Sequence, residues 1–201
     1  MTWQCFIAAA VLAMVATTSA AQAPDHERAK KIAAGSCVLC HGEQGESSSE
    51  VFPKLAAQHP NYIARQLAAF KSGDRKSTSM RPMVRNLTPE DMTALGEYYF
   101  QMPATASEIK DQELALVGRY VYTQGNRFSG VPACAACHGP QGAGTPNLPR
   151  LAGQNELYLE NQIRSFNKRE RTTDNEVMHT IAAKLTELEV KAVSEYLAGK
   201  K

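Results

Sequence analysis

Residues 52–75, FPKLAAQHPNYIARQLAAFKSGDR, align without a gap on residues 148–171, LPRLAGQNELYLENQIRSFNKRER. Pro53/Pro149, Leu55/Leu151, Ala56/Ala152, Gln58/Gln154, Tyr62/Tyr158, Gln66/Gln162, Phe70/Phe166 and Arg75/Arg171 are identical pairs. With two residues of extra offset, MRPMVRNLTPEDMTALGEYY (80–99) follows MHTIAAKLTELEVKAVSEYL (178–197). There Met80/Met178, Leu87/Leu185, Thr88/Thr186, Ala94/Ala192, Glu97/Glu195 and Tyr98/Tyr196 coincide. The chain is a tandem duplication of one small unit, so whatever it folds into must be built twice. Each copy has roughly 80–100 residues, a size that buries little apolar surface and needs help from a staple or a cofactor.

Each unit reads as helical, which makes the chain all-α. Helices are expected at Asp25–Ala34 and Gln112–Thr123, leading into the cysteine-containing segments. Asn61–Ser72 and Glu156–Lys168 carry apolar residues at three- and four-residue spacing, namely Tyr62, Ile63, Leu67 and Phe70, and Tyr158, Ile163 and Phe166. The final helix of each unit announces its start, with Thr88 three residues before Asp91 and Thr186 three before Glu189. The Gly-rich stretches HGEQGESSS and HGPQGAGTPNLP read as loops, and no run of alternating apolar residues marks a sheet. The polar, Pro-containing segment Met102–Lys110 joins the units. The expected organisation is a first unit over 24–103, a linker at 104–110 and a second unit over 111–201.

The first 23 residues differ in kind. MTWQCFIAAAVLAMVATTSAAQA carries no charged side chain, has an apolar core from about Phe6 to Ala16, and ends in small residues. It reads as an export signal over 1–23, cleaved between 20 and 23, and too short in its apolar core to span a bilayer. Lys and Arg number 22 against 20 Asp and Glu, with no basic run, so nucleic acid is not expected as a partner. Cys5 leaves with the leader, and the four remaining cysteines of an exported chain call for a disulfide, a metal or a covalent cofactor.

Those cysteines stand in CVLCH (37–41) and CAACH (134–138). C-x-x-C-H is the attachment signature of c-type haem: two thiols one helical turn apart, Cys37 with Cys40 and Cys134 with Cys137, each add to a vinyl group on one porphyrin edge. The next residue, His41 or His138, then supplies the iron's fifth ligand. A single four-cysteine zinc site is the alternative, but it would require the two motifs to meet, whereas the repeat gives each unit its own. Disulfide or thioredoxin-like redox chemistry is another, and it needs no histidine. Two covalent haem c groups are the expected cofactors, and they would supply the core that each small unit lacks.

For the sixth ligand the repeat selects Met80 and Met178, each seven residues before the Leu-Thr that opens the last helix. Met83 competes locally but aligns with Ile181, which has no donor atom. Core packing is the alternative for Met80 and Met178, and the reading adopted for Met92 and Met102. Pro53 and Pro149 recur just after the haem loop, where a carbonyl could accept Nδ1–H of the ligating histidine, or where a proline could simply make a turn. His59 aligns with Asn155 and His179 with Arg81, so these imidazoles, with His26, are assigned surface or supporting roles. Arg75/Arg171, Tyr62/Tyr158 and Gln66/Gln162 either contact haem propionates or pack.

With CVLCHG, FPKLAAQ and the Met80-to-Leu87 spacing in one unit, and VPACAACHGPQGAG, LPRLAGQ and MHTIAAKL in the other, the chain resembles the dihaem cytochrome c4 family. That resemblance covers Asp25 to Gly199. It implies two class I cytochrome c domains related by pseudo-twofold symmetry, His/Met ligation of both irons and propionates near the domain interface. It also implies that Pro53 and Pro149 support the haem histidines. Proteins of this kind are periplasmic, sometimes membrane-associated, and pass single electrons from respiratory donors toward a terminal oxidase or other acceptor. A monomeric carrier is therefore expected, with a redox-protein donor and acceptor. Two alternatives remain: the dihaem subunit of an enzyme complex such as a sulfide-oxidising flavocytochrome, and a dihaem peroxidase, which would need one displaceable ligand.

Overall fold

A computed structural model describes Met1 and residues 25–173 and 175–201 of the chain; apart from Met1, the expected export signal lies outside the described residues. In the first unit, α1 (His26–Ile32) starts at Asp25, whose side chain accepts from Arg28 N at 2.9 Å. It runs on through a π-helical turn (Ala33–Cys37) into α2 (Val38–His41). The helix expected over 25–34 therefore does not stop before the motif; the wider turn delivers Cys37 directly. α3 (Pro60–Ser72), the short α4 (Met80–Val84) and α5 (Pro89–Phe100) complete the unit.

The second unit has α6 (Gln112–Gln124), α7 (Ala135–His138), α8 (Glu156–Asn167), α9 (Val177–Ala182) and α10 (Glu187–Ala198). Here the first helix does break before the motif. Gly125 turns the chain at φ 71°, and a Cβ there would stand 2.2 Å from Val131 O. The two halves of the repeat thus reach the same pentapeptide by different routes. α4 and α9 are absent from the sequence-based expectation, since five or six residues are too few to show a helical period. Among the described residues there is no sheet, only isolated bridges such as Arg75 with Arg171.

Both expected capping boxes form. Thr88 Oγ1 accepts from Asp91 N at 3.2 Å while Asp91 Oδ2 accepts from Thr88 N at 3.0 Å, and Thr186 with Glu189 repeats the pattern at 3.2 and 2.8 Å. α5 packs on α3 and α1, and α10 on α6 and α8. At the α6–α10 crossing Gly118 faces Ala192 O so closely that a Cβ would stand 1.8 Å from it, so only glycine lets the two backbones meet. The first core gathers Ala29, Ile63, Phe70, Val84, Leu95 and Tyr99; the smaller second one gathers Tyr122, Leu159, Val193 and Leu197.

Asp91 also ties two helices together. It is buried, 3% exposed, and receives Arg28 Nη2 at 2.9 Å together with a very short bond from Arg28 Nε, joining α1 to α5. The Arg28 hydrogen bonds outweigh burial and hold its carboxyl down at about 2. A depressed carboxylate stabilises the fold above its ordinary pKa and loses that contribution as pH falls through the folded value. Between pH 4 and pH 2 the contribution should fade by about 2 kcal/mol. Urea unfolding at stepped pH checks this: D91N should be less stable near neutrality and should lose less on acidification than the parent.

The two units meet through the middle of the repeat. Arg75 donates to Gln66 Oε1 at 2.7 Å in its own unit and to Tyr158 OH (2.9 Å) and Gln162 Oε1 (2.8 Å) in the other. Arg171 answers with Gln162 Oε1 at 2.8 Å, Tyr62 OH at 2.8 Å and Gln66 Oε1 at 2.9 Å. Residue i of one unit meets j of the other while j meets i, which is the signature of a twofold interface. Burial raises the Tyr62 pKa, but the guanidiniums of Arg171 and Arg75 outweigh it and leave that pKa below the usual phenol value.

Candidate functional site

Each C-x-x-C-H segment is a short helical turn whose histidine is its last residue. His41 and His138 are buried, 6% and 8% exposed. His41 Nδ1 lies 2.9 Å from Pro53 O, and His138 Nδ1 lies 3.2 Å from Pro149 O. A carbonyl only accepts, so Nδ1 carries the proton in both rings and Nε2 keeps its lone pair. Burial lowers both pKa values, with the proline carbonyl opposing it in part. The result is two neutral, oriented imidazoles, the form that binds a metal. In unit two the buried Tyr122 also donates to Gly139 O at 2.6 Å, pinning the residue after the histidine.

The four motif cysteines are unpaired; Cys37, Cys40 and Cys134 are half-buried and Cys137 is exposed. Burial pushes Cys134 up to about 11 and raises Cys37 as well, the reverse of the low-pKa thiolate a disulfide oxidoreductase needs. Among the described residues no three His, Cys, Asp or Glu side chains converge as a metal cluster, so the four-cysteine zinc alternative fails. Cys37, Leu55, Leu67 and Met80 edge the core of unit one. Cys134, Leu151, Ile163 and Tyr196 edge that of unit two.

Met80 opens α4, half-buried, with its N–H donating to Ser77 Oγ at 3.0 Å, whereas Met83 is 49% exposed. Met178 is half-buried in α9, where the neighbouring His179 Nδ1 bonds Phe166 O at 2.9 Å and ties α9 to the end of α8. A haem with apolar faces and acidic edges fits this donor set. Soft thioether and neutral imidazole are the pair that holds haem iron, and thiols two residues apart are the pair that attaches it. One orphaned atom fits as well. The Tyr99 hydroxyl is buried with no hydrogen-bond partner, and burial, then the adjacent Cys37, drive its pKa upward. That hydroxyl stands beside the Cys37 thiol of the motif.

The residues that cross between units here carry little signal in the sequence. Gln58 and Gln154 are visible there only as identities in the repeat. His59 and Asn155 align as different residue types, yet the structure gives them a shared role, since each opens a helix and reaches into the other unit's haem loop. His59 Nε2 lies 2.8 Å from Ala143 O, and Asn155 Nδ2 donates to Phe52 O at 2.7 Å and Ser49 O at 3.1 Å. An imidazole and a carboxamide both supply the N–H that the position needs.

Two helical units, each presenting a C-x-x-C-H turn with a carbonyl-oriented neutral histidine, define a tandem c-type cytochrome. The cytochrome c family profile matches residues 26–125 and again 118–201. Cytochrome c4 of Thiocapsa roseopersicina is 40% identical over 185 residues, covering 90% of this chain and 95% of that protein. The crystal structure of reduced recombinant cytochrome c4 from Pseudomonas stutzeri matches with a TM-score of 0.84 at 31% identity, over 89% of this chain and all of that one. The thiosulfate dehydrogenase electron acceptor of Thiomonas intermedia (strain K12) is 34% identical over 178 residues, covering 83% of this chain and 79% of that protein. The chain belongs to the cytochrome c4 family: it is an electron-transfer cytochrome with two covalently bound haem c groups, and it works with redox partners.

Proposed function

We propose a single-electron shuttle with units at 24–103 and 111–201 joined by 104–110, each holding one haem. Haem supplies the ferric–ferrous couple. Cys37 and Cys40, and Cys134 and Cys137, hold the two groups as thioethers. His41 and His138 would hold iron through Nε2, with Pro53 and Pro149 orienting those rings, and Met80 and Met178 would hold it through sulfur. The apolar core edges keep water away from the groups. The observation that carries this reading is the proline carbonyl on Nδ1 in both units, because it fixes a neutral tautomer whose Nε2 lone pair is left for iron.

The leader-like residues 1–23 support export to the periplasm, where the molecule acts as a monomer between a respiratory donor and a terminal oxidase or similar acceptor. No helix among the described residues is long and apolar enough to cross a membrane. The similarity to a thiosulfate dehydrogenase electron acceptor favours a second reading, in which the chain serves one enzyme as its dedicated acceptor or subunit. An anaerobic optical redox titration of the mature protein, with its mass and any co-purifying chain recorded first, separates these. Two low-spin haems at positive potential in an isolated chain establish the shuttle. A tightly held enzyme partner establishes the dedicated acceptor, and a high-spin component would overturn His/Met closure of both irons.

A further inference from the structure

The peptide group that orients each motif histidine is itself held by the other unit. Pro53 C=O and Lys54 N–H belong to one planar amide. The carbonyl receives His41 Nδ1–H at 2.9 Å, and the N–H donates to Gln154 Oε1 at 2.8 Å. Gln154 Nε2 closes the clasp by donating to Lys54 O at 2.9 Å. The mirror image is complete. Pro149 C=O receives His138 Nδ1–H at 3.2 Å, Arg150 N–H donates to Gln58 Oε1 at 2.8 Å, and Gln58 Nε2 donates to Arg150 O at 2.9 Å. Both glutamines are buried, 5% and 7% exposed. Each is locked from behind as well, Gln58 Oε1 accepting from His59 N at 3.1 Å and Gln154 Oε1 from Asn155 N at 2.9 Å.

We propose that Gln58 and Gln154 are positioning residues for the iron-ligand histidine of the opposite unit, so that each haem's potential is set in part across the domain interface. An amide whose N–H is donating becomes a stronger acceptor at its carbonyl, since hydrogen bonds in a chain polarise one another. A stronger acceptor on Nδ1–H makes the imidazole more basic and favours ferric iron. Gln154 therefore lowers the potential of the haem on Cys37 and Cys40, and Gln58 that of the haem on Cys134 and Cys137. The interface transmits in both directions because the same clasp is built twice. This rests on His41 and His138 as iron ligands.

The test is a redox titration of the full holoprotein followed by 1H NMR, which resolves the two haems by their methyl resonances. Q154M keeps side-chain length and removes the strong acceptor. It should raise the ferrous-to-ferric ratio of the unit-one haem about threefold at fixed potential, about 30 mV at ~59 mV per tenfold, and leave the other haem nearly unmoved. Q58M should do the reverse. Q154E, which keeps an acceptor for Lys54 N–H, should not raise the unit-one potential. If Q154M does not assemble, Q58M carries the same crossed reading from the mirror side. Potentials that stay put, or that shift equally in both haems or in the variant's own unit, overturn the coupling even if stability falls. A wild-type spectrum without two low-spin His-ligated haems removes the premise instead, and is read separately.

Discussion

Replacing Met178 by alanine should lower the potential of the second haem and open its iron to added imidazole or cyanide. A thioether is a soft donor that favours ferrous iron and occupies the position a small ligand would take. Its loss should cost on the order of 0.1–0.2 V, a fraction of the ~0.8 V range over which axial ligands set haem potentials. The substitution should be quiet for the fold. Met178 stands at the second position of α9 and is not part of the buried cluster of Tyr122, Leu159, Val193 and Leu197, while α9 keeps its tie from His179 to Phe166 O. The paired control lies in unit one. M80A should behave as M178A does, but M83A should leave the first haem untouched, because that side chain is half in solvent. Optical titration with added imidazole reads all three; an unchanged potential and no ligand uptake in M178A would remove Met178 from the coordination of iron.

Much of this is legible in the sequence, for a physical reason. The motif and the caps are local patterns: two cysteines and a histidine share one pentapeptide, and Thr88 must stand three residues before Asp91. Duplication then prints each local pattern twice, so chance matches can be discarded. What stays hidden depends on distance in space. An identity such as Gln58/Gln154 says that a side chain matters in both copies, but not whether it faces its own unit or its twin. The converse also holds: His59/Asn155 looks like divergence, although the geometry is shared, because the alignment compares residue types and the interface requires only a donor. The π-helical turn at Ala33–Cys37 leaves no periodic trace, since one widened turn shifts the register without changing the residue types.

Arg75→Leu should loosen the interface and cost about 3–5 kcal/mol: it removes three hydrogen bonds from a charged donor, but Gln66 and Gln162 keep their bonds from Arg171, and only Tyr158 OH loses its arginine. The guanidinium also lies 4.5 Å from the Phe70 ring centre, so its flat face is packed as well as bonded. Lysine should not rescue it: a single ammonium cannot serve Gln66, Tyr158 and Gln162 from one planar fork. Gln66 Oε1 and Gln162 Oε1 each accept from both arginines, so either single variant leaves them one donor, and R75L with R171L should cost clearly more together than the sum of the two alone. Urea unfolding followed separately at the haem band and by fluorescence of a label in one unit reads the outcome. The parent should unfold in one transition and the variants in two, as the units come apart before either melts. Coincident transitions in R75L would mean that the glutamine clasps and the linker hold the pair together without the arginines. Separated transitions would make this network the joint that keeps the two units at the fixed spacing an internal electron exchange requires.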